Sequence, residues 1–196
     1  LRTACSVGKP GVIVDIGHGG SDSGAKGCFN LSEKDINLDV CTYVANLLRK
    51  KGFDVFLTRC ADVAISVDER TVMTASNKTA AVFVSIHSNA ALNVQASGIE
   101  TFFFDIANYC KGCDKSSRLT SALLHDRCAK SQLLANNIHQ SVLAYARYKQ
   151  PEVIDRKVKQ SFLQVLIGSV VPSALVELGF LTNQKEASLI KNKHYK

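Results

Sequence analysis

Residues 11–18 read Gly-Val-Ile-Val-Asp-Ile-Gly-His, and this stretch decides how the rest of the chain is interpreted. The run is short and rich in β-branched residues, which is typical of a buried strand. A glycine-rich loop, residues 17–27, follows it directly. Beyond the loop, apolar side chains recur at helical spacing up to Gly52, which predicts an amphipathic helix. Those side chains are Ile36, Val40, Tyr43, Val44, Leu47 and Leu48.

The start of this helix is marked by two polar residues. Ser32 is predicted to be its N-cap, and Glu33 falls in its first turn. An anionic side chain is favoured there because the backbone N–H groups of the first turn carry partial positive charge.

Strands and helices alternate along the first half of the chain. Strands are predicted at 53–57 and 81–86, and a second helix lies between them at 67–76. This alternation predicts a mostly parallel sheet with helices on both faces. Further strands at 98–104, 162–166 and 174–178 give roughly six strands, and further helices are predicted at 131–145 and 184–191. Residues 105–130, which are polar and carry three cysteines, are predicted to form an insertion or loop.

Length and composition predict one α/β catalytic domain spanning residues 1–196. The chain has 46% hydrophobic and 21% charged residues, which is ordinary for a globular domain. A net charge of +7 favours anionic partners. Nucleic acid is excluded as a partner, because the basic residues are dispersed, aromatic residues make up 7%, and no groove-reading motif is present. A membrane span is also excluded, since no apolar run approaches the ~20 residues required.

The seven cysteines point to a compartment outside the cytosol. We expect a local disulfide among Cys110, Cys113 and Cys128, ahead of reduced thiols in an exposed loop. Cys41 lies on the apolar face of the first helix and is predicted to be a buried free thiol. Because the chain starts at Leu1, we expect that a targeting segment has been removed. A monomer is expected, since no coiled-coil seam or long apolar edge is evident.

Three predicted strands end in a residue that can bind a metal or move a proton: His18, His87 and Glu177. In open α/β sheets, the ligand site lies beyond the carboxyl ends of the strands, so these side chains should converge there. Glu33 follows the first loop and lies within reach of the same edge. Two imidazoles and one carboxylate with an open position make up a catalytic zinc site. Glu177 is then predicted to be the general base that takes a proton from zinc-activated water.

Each of these residues also has a structural explanation when it is taken alone. A histidine at a strand end is more often hydrogen-bonded than metal-bound, and Glu33 alone would more often be a capping residue. Glu177 is harder to explain this way, because a carboxylate in a buried strand is costly unless it is paired or used. Four such residues at one edge favour the metal site. The remaining histidines, His125, His139 and His194, are predicted to lie on the surface.

Six segments, in order and over nearly the whole chain, resemble the zinc-dependent N-acetylmuramoyl-L-alanine amidases. Six ordered motifs are far more specific than any one of them. They are Val14-Asp-Ile-Gly-His-Gly-Gly-Ser-Asp-Ser-Gly-Ala-Lys-Gly27, Ser32-Glu-Lys-Asp-Ile-Asn-Leu38, Phe56-Leu-Thr-Arg59, Ser85-Ile-His-Ser-Asn-Ala90, Gly98-Ile-Glu-Thr101 and Leu175-Val-Glu-Leu-Gly-Phe-Leu-Thr-Asn183.

The resemblance implies a zinc enzyme that hydrolyses the amide bond between N-acetylmuramic acid and L-alanine of the peptidoglycan stem peptide. By motif, His18, Glu33 and His87 are the zinc ligands and Glu177 is the catalytic residue, which are the same four residues that the strand-end argument selects.

The resemblance also implies where such an enzyme works and what else contacts the substrate. It predicts a role in cell-wall remodelling or daughter-cell separation, in the periplasm or outside a bacterial cell. Peptidoglycan stem peptide and glycan are the expected partners, and a protein activator is left open. Within the quoted motifs, Asn89 and Arg59 are predicted to contact the substrate. Some relatives carry a regulatory helix in the region of 105–130, which suggests that residues 118–127 form a plug over the site.

Three other interpretations are kept as alternatives. The nearest is a zinc peptidase that cuts within the stem peptide. A second is a serine acyltransferase of the penicillin-binding type, suggested by the S-x-x-K pattern of Ser23 and Lys26, which chance also explains. The third is a module that binds wall polymers without cutting them.

Overall fold

The computed structural model describes residues 9–106 and 118–192, and its strands form one sheet. Within these ranges the sheet has six strands in the order β2-β1-β3-β6-β4-β5. The pairs β1–β2, β1–β3, β3–β6 and β4–β5 are parallel, whereas β4–β6 is antiparallel. The mostly parallel six-stranded sheet is therefore confirmed. The strands are β1 (Gly11–Ile16), β2 (Asp54–Leu57), β3 (Ala80–Asn89), β4 (Ile99–Phe103), β5 (Asp155–Gln160) and β6 (Ser173–Phe180).

Five α-helices connect and flank these strands in the part of the chain that the structure describes. The predicted helices at 67–76 and 184–191 have those bounds in the structure. None of the five is long and apolar enough to cross a membrane. They are α1 (Glu33–Lys50), α2 (Val67–Ser76), α3 (Arg118–Lys149), α4 (Gln164–Ile167) and α5 (Gln184–Lys191).

The predicted strand at 162–166 is wrong. The strand in this region is β5, which lies earlier, and residues 164–167 form the short helix α4. Val165 and Leu166 are buried against Phe83 and Leu175, so their apolar character reflects the packing of a helix on the sheet. β5 was missed because it is an edge strand with the sequence DRKVKQ, which has no apolar alternation.

The prediction of a loop at 105–130 is wrong from residue 118 onward, since α3 begins at Arg118 and continues for 32 residues. The helical pattern is weak there because this part of the helix is largely exposed; Leu123 is 64% exposed. Cys128 is a buried free thiol. Cys110 and Cys113 lie outside the described residues, as does His194, so the predicted disulfide remains a prediction.

The direction of α3 contradicts the plug hypothesis for residues 118–127. Ser131 accepts a hydrogen bond from the backbone N–H of Ser173, the first residue of β6. Farther along α3, Leu143 and Ala146 pack with Ile99. The helix therefore runs toward the carboxyl edge of β6, and its first turns extend beyond the opposite edge. In that position they cannot cover the strand ends that carry His87 and Glu177.

The prediction that His139 lies on the surface is also wrong. The residue is 4% exposed, and its ring contacts one residue of β4 and one of β5. One ring nitrogen is 3.0 Å from the hydroxyl of Thr101, and the other is 2.9 Å from a carboxylate oxygen of Asp155. The ring joins α3 to both strands. The sequence did not reveal this, because a polar residue in a helical pattern is normally expected on the exposed face. His125, in contrast, is exposed as predicted.

Two of the three hydrophobic core clusters in the described residues contain alternate residues of β1. Val12, Val14 and Ile16 pack with residues of α1, including Cys41, which is the predicted buried free thiol. Ile13, between them, packs with residues of α4 instead. Alternate residues of a strand point to opposite faces, so β1 is covered by side chains on both sides.

A buried ion pair fixes the carboxyl end of β1. Asp15 is 1% exposed and accepts a 2.5 Å contact from Arg70 of α2. Hydroxyl groups of Ser85 in β3 and of Thr58, directly after β2, also donate to this carboxylate, so Asp15 joins three neighbouring chain segments to α2. These bonds offset the cost of burying both charges. Arg70 also donates to the backbone carbonyl of His18, which fixes the backbone at the point where the candidate site begins.

Candidate active site

His18 lies just beyond β1 in a backbone conformation with φ of 61°, which a residue with a side chain seldom adopts. Its ring is 25% exposed and bridges two carboxylates. Nδ1 is 2.7 Å from Asp22 in the glycine-rich loop, and Nε2 is 3.1 Å from Glu33. The neighbouring Gly17 leaves room for the second imidazole, because a Cβ there would lie 2.4 Å from the ring of His87.

Glu33 begins α1 and points inward from the first turn. Its Oε1 is 2.9 Å from Nδ1 of His87 and accepts the backbone N–H of Ser88. Its Oε2 accepts the backbone N–H of Ala25. The predicted cap, Ser32, occupies the N-cap position, but its hydroxyl donates to the carbonyl of Ser23 and so closes the loop.

His18, Glu33 and His87 form a group whose ligand atoms all lie within 4.8 Å of one another. The two imidazole rings meet edge to face with centroids 5.0 Å apart. Parallel strands bring these residues together: β1 and β3 are neighbours, and both end at the same edge. The group can therefore hold a metal ion with two nitrogens and one carboxylate oxygen.

The electrostatics of this group follow from two imidazoles that share one buried carboxylate. The hydrogen bond to Glu33 raises the pKa of His18 to about 9, and Asp22 adds to the effect. Burial alone would raise the pKa of Glu33, but hydrogen bonds from His18 and His87 hold it well below its usual range. Glu33 is therefore an anion, ready to bind a cation.

Glu177 lies in β6, where it is the direct partner of His87 on β3. Burial raises the pKa of Glu177 to about 7, although the charge of His87 opposes the change. Among the described residues, its Oε2 is buried without a hydrogen-bond partner. A carboxylate in this state is costly for stability, and one with a pKa near neutrality can accept and release a proton readily.

Asn89 and Arg59 occupy different surroundings. The Asn89 amide donates to Glu100 at 2.6 Å, beside Glu177. Arg59 is 3% exposed, and its guanidinium donates to four backbone carbonyls, those of Ile16, Gly17, Lys34 and Ala61. This geometry favours a role for Arg59 in holding the loops around the site. Substrate contact by either residue stays a prediction.

Sequence reasoning gave no role to two acidic residues of the site. Asp22 contacts His18 from within the glycine-rich loop, and its spacing of four residues carries no signal by itself. Glu100 is buried and pairs directly with Glu177 across the antiparallel β4–β6 ladder. It stands within the Gly98-Ile-Glu-Thr101 motif, but strand register alone places it beside Glu177.

Ser23 and Lys26, the pair behind the acyltransferase alternative, belong to the same loop. The Ser23 hydroxyl donates to the carbonyl of Gly24, and Lys26 is exposed. A nucleophilic serine needs its hydroxyl directed at a base, so this geometry gives the alternative no support.

An α/β sheet that carries two imidazoles and a carboxylate at one edge, with a second carboxylate alongside, is the arrangement expected of a metal-dependent hydrolase. The sequence profile of N-acetylmuramoyl-L-alanine amidase matches residues 12–196. The chain therefore belongs to the N-acetylmuramoyl-L-alanine amidase family.

Individual relatives agree with this assignment. The chain is 36% identical to the uncharacterized protein YqiI of Bacillus subtilis, over 94% of this chain and 76% of YqiI. The crystal structure of N-acetylmuramoyl-L-alanine amidase from Clostridium difficile 630 superposes with a TM-score of 0.77 at 33% identity, covering 95% of this chain and 88% of that one. CwlD amidase from Clostridioides difficile, solved in complex with the GerS lipoprotein, has a TM-score of 0.73 at 27% identity, with 95% and 90% coverage.

Proposed function

We propose that this protein hydrolyses the amide bond between N-acetylmuramic acid and L-alanine in peptidoglycan, with zinc held by His18, Glu33 and His87. The observation that carries the proposal is the convergence of these three side chains beside Glu177. Family membership supplies the substrate, which the geometry of the side chains alone does not specify.

The donor set fits zinc. Two imidazole nitrogens and a carboxylate oxygen leave a coordination position open, as catalytic zinc sites require. Asp22 bonds Nδ1 of His18, which fixes the ring and leaves Nε2 directed at Glu33. Metal-binding histidines commonly have such a carboxylate partner on the other nitrogen.

Glu177 is proposed to be the general base and then the general acid. Zinc, when bound, supplies a Lewis acid that lowers the pKa of water and polarises the scissile carbonyl. The free Oε2 of Glu177 accepts the proton of the attacking water. The same carboxyl then donates that proton to the leaving nitrogen of L-alanine. Because the carboxyl has a pKa near neutrality, both transfers are accessible at the same pH.

Replacement of Asp22 by asparagine should weaken zinc binding about tenfold, because an amide is a weaker acceptor for the Nδ1 proton than a carboxylate. Competition with a chromogenic chelator measures the zinc dissociation constant. Asp126→Asn removes a comparable exposed carboxylate on α3 and should leave that constant unchanged. Equal dissociation constants for Asp22→Asn and the unaltered protein would show that Asp22 does not support the metal.

The remaining parts of the proposal concern the extent of the domain, the helices on the sheet, the location of the protein and its partners. We infer one catalytic domain over 1–196, helices on both faces of the sheet, and action in the periplasm or outside a bacterial cell. The packing of α1 and α4 against alternate residues of β1 supports the two-sided arrangement. CwlD with its bound GerS supports a protein activator as a further partner.

Digestion of purified peptidoglycan, followed by mass spectrometry, tests the proposed function against the zinc peptidase alternative. An amidase releases stem peptides that begin with a free L-alanine amino group. A peptidase instead leaves muramyl-peptides with shortened stems. Shortened stems, or no release of peptide at all, would overturn the proposed function.

A further inference from the structure

A group of basic side chains lies beside Glu177, and the proposed reaction gives it no role. Glu100, the strand partner of Glu177, is 5% exposed and accepts hydrogen bonds from Arg156 at 3.1 Å and Lys159 at 2.5 Å. Its other oxygen accepts the amide of Asn89 at 2.6 Å. One buried carboxylate thus holds two cations and one amide at the edge of the site.

Both cations reach Glu100 because β5 contains one extra residue. Ile99 pairs with Asp155, but Thr101 pairs with Val158, so three steps along β5 match two along β4. In a regular strand, residues 156 and 159 would point to opposite faces. The bulge is centred on Lys157, whose φ is 75°, a conformation that is costly for a residue with a side chain. Strained bulges of this kind redirect side chains and occur preferentially near active sites.

Glu100 fixes the position of both cations, but it does not occupy all of their hydrogen-bond donors. Arg156 stacks 4.8 Å from the ring centroid of Phe180; its Nε donates to Glu100 and its Nη1 to the carbonyl of Ser97, and its side chain is 34% exposed. Lys159 is 41% exposed. Two positive charges face the one carboxylate of Glu100, and the Glu186 carboxylate lies close enough to interact with Arg156 as well. Donors that remain open to solvent can bind a second carboxylate.

We propose that Arg156 and Lys159 form a subsite for the free α-carboxylate of the glutamate that follows L-alanine in the stem peptide. The inference rests on the proposed amidase function. Glutamate is joined there through its side chain, which leaves its α-carboxylate as the first anion beyond the scissile bond. That carboxylate lies about two residue lengths away, or roughly 7 Å. Glu177 lies on β6, which is two strand spacings, or roughly 9 Å, from β5. Both cations extend from β5 back toward β4, which shortens their distance to Glu177.

Two muramyl tripeptides that differ in one group test the subsite: N-acetylmuramoyl-L-Ala-γ-D-Glu-L-Lys, whose glutamate has a free α-carboxylate, and its α-amide, N-acetylmuramoyl-L-Ala-D-isoglutaminyl-L-Lys. We expect kcat/KM of the unaltered protein to be at least about tenfold higher for the free acid, since the amide cannot form a charge-paired bond. Lys159→Gln and Arg156→Gln should each lower kcat/KM for the acid and change the amide little, so that the preference falls toward one.

Lys157→Gln is the matched control. It removes the same charge from the same strand, but Lys157 is 74% exposed and pairs with Asp155 rather than Glu100. It should keep the full preference for the acid. Cleavage of both substrates at equal rates by the unaltered protein would overturn the subsite and leave the amidase function standing. If the protein cleaves neither of these two substrates nor purified peptidoglycan, the amidase function itself is overturned. If Lys159→Gln does not fold, the comparison of the two substrates on the unaltered protein still decides the question.

Discussion

Replacement of Glu177 by glutamine should lower kcat on peptidoglycan by about a thousandfold while zinc stays bound. General acid–base catalysis by one side chain contributes typically 10²–10⁴-fold, and glutamine cannot accept the proton of the attacking water. The change should not destabilise the protein. Oε2 is buried without a partner among the described residues, and burying the charged carboxylate there costs desolvation free energy. A neutral amide removes that cost.

Three measurements on Glu177→Gln separate catalysis from structure: turnover of labelled peptidoglycan, zinc content, and the midpoint of thermal unfolding. Glu152→Gln is the matched control, because Glu152 is exposed and lies outside the site. We expect turnover to collapse in Glu177→Gln alone, with zinc content retained in both variants. A variant that keeps more than about a tenth of the normal turnover would exclude Glu177 as the general base. Loss of zinc together with turnover would instead indicate a metal ligand.

Replacement of His87 by alanine should abolish zinc binding and turnover together. The imidazole supplies one of three donors, and its Nδ1 contacts the carboxylate of Glu33 at 2.9 Å. Loss of an outer partner weakens metal binding by about 10–100-fold, so the loss of a direct ligand should exceed this range. Without the third donor, the anionic Glu33 would also be held by one imidazole only, and its position would be less fixed.

Zinc per chain after dialysis, measured by plasma mass spectrometry, tests this expectation. The unaltered protein should retain about one ion, as a three-ligand catalytic site does, and His87→Ala less than about a tenth of that. A strong chelator should make the unaltered protein inactive, and added zinc should restore it, whereas zinc should not rescue His87→Ala. His125→Ala, on the exposed surface of α3, should behave as the unaltered protein does. Full zinc content in His87→Ala would remove His87 from the ligand set.

Local patterns predicted the parts of this fold whose signal is contained in a few neighbouring residues. The β-branched run of β1, the apolar face of α1 and the bounds of α2 and α5 all follow from spacing. The candidate metal residues were also found this way, because parallel strands that end in His18 and His87 must end at one edge. That argument needs the order of strands and helices but no detailed contacts.

Other features depend on contacts between residues far apart in sequence. β5 is a polar edge strand held by its pairing with β4, and its bulge is visible only in the register. The first turns of α3 have little apolar periodicity, and His139 is buried because two strands supply its partners. Patterns within one segment carry no information about such partners.

The sequence by itself determined most of the element types, the family and the candidate site residues His18, Glu33, His87 and Glu177, because each depends on local spacing or on ordered motifs. Only the tertiary structure decided which groups surround them: Asp22 behind His18, Arg59 locked onto backbone carbonyls, and Glu100 beside Glu177. The physical reason is that hydrogen bonds and charge pairing act over a few ångströms in space. Neighbours at that distance are set by strand register and loop closure across 40 to 80 positions of the chain, as in Arg59 to Gly17 and Glu100 to Glu177.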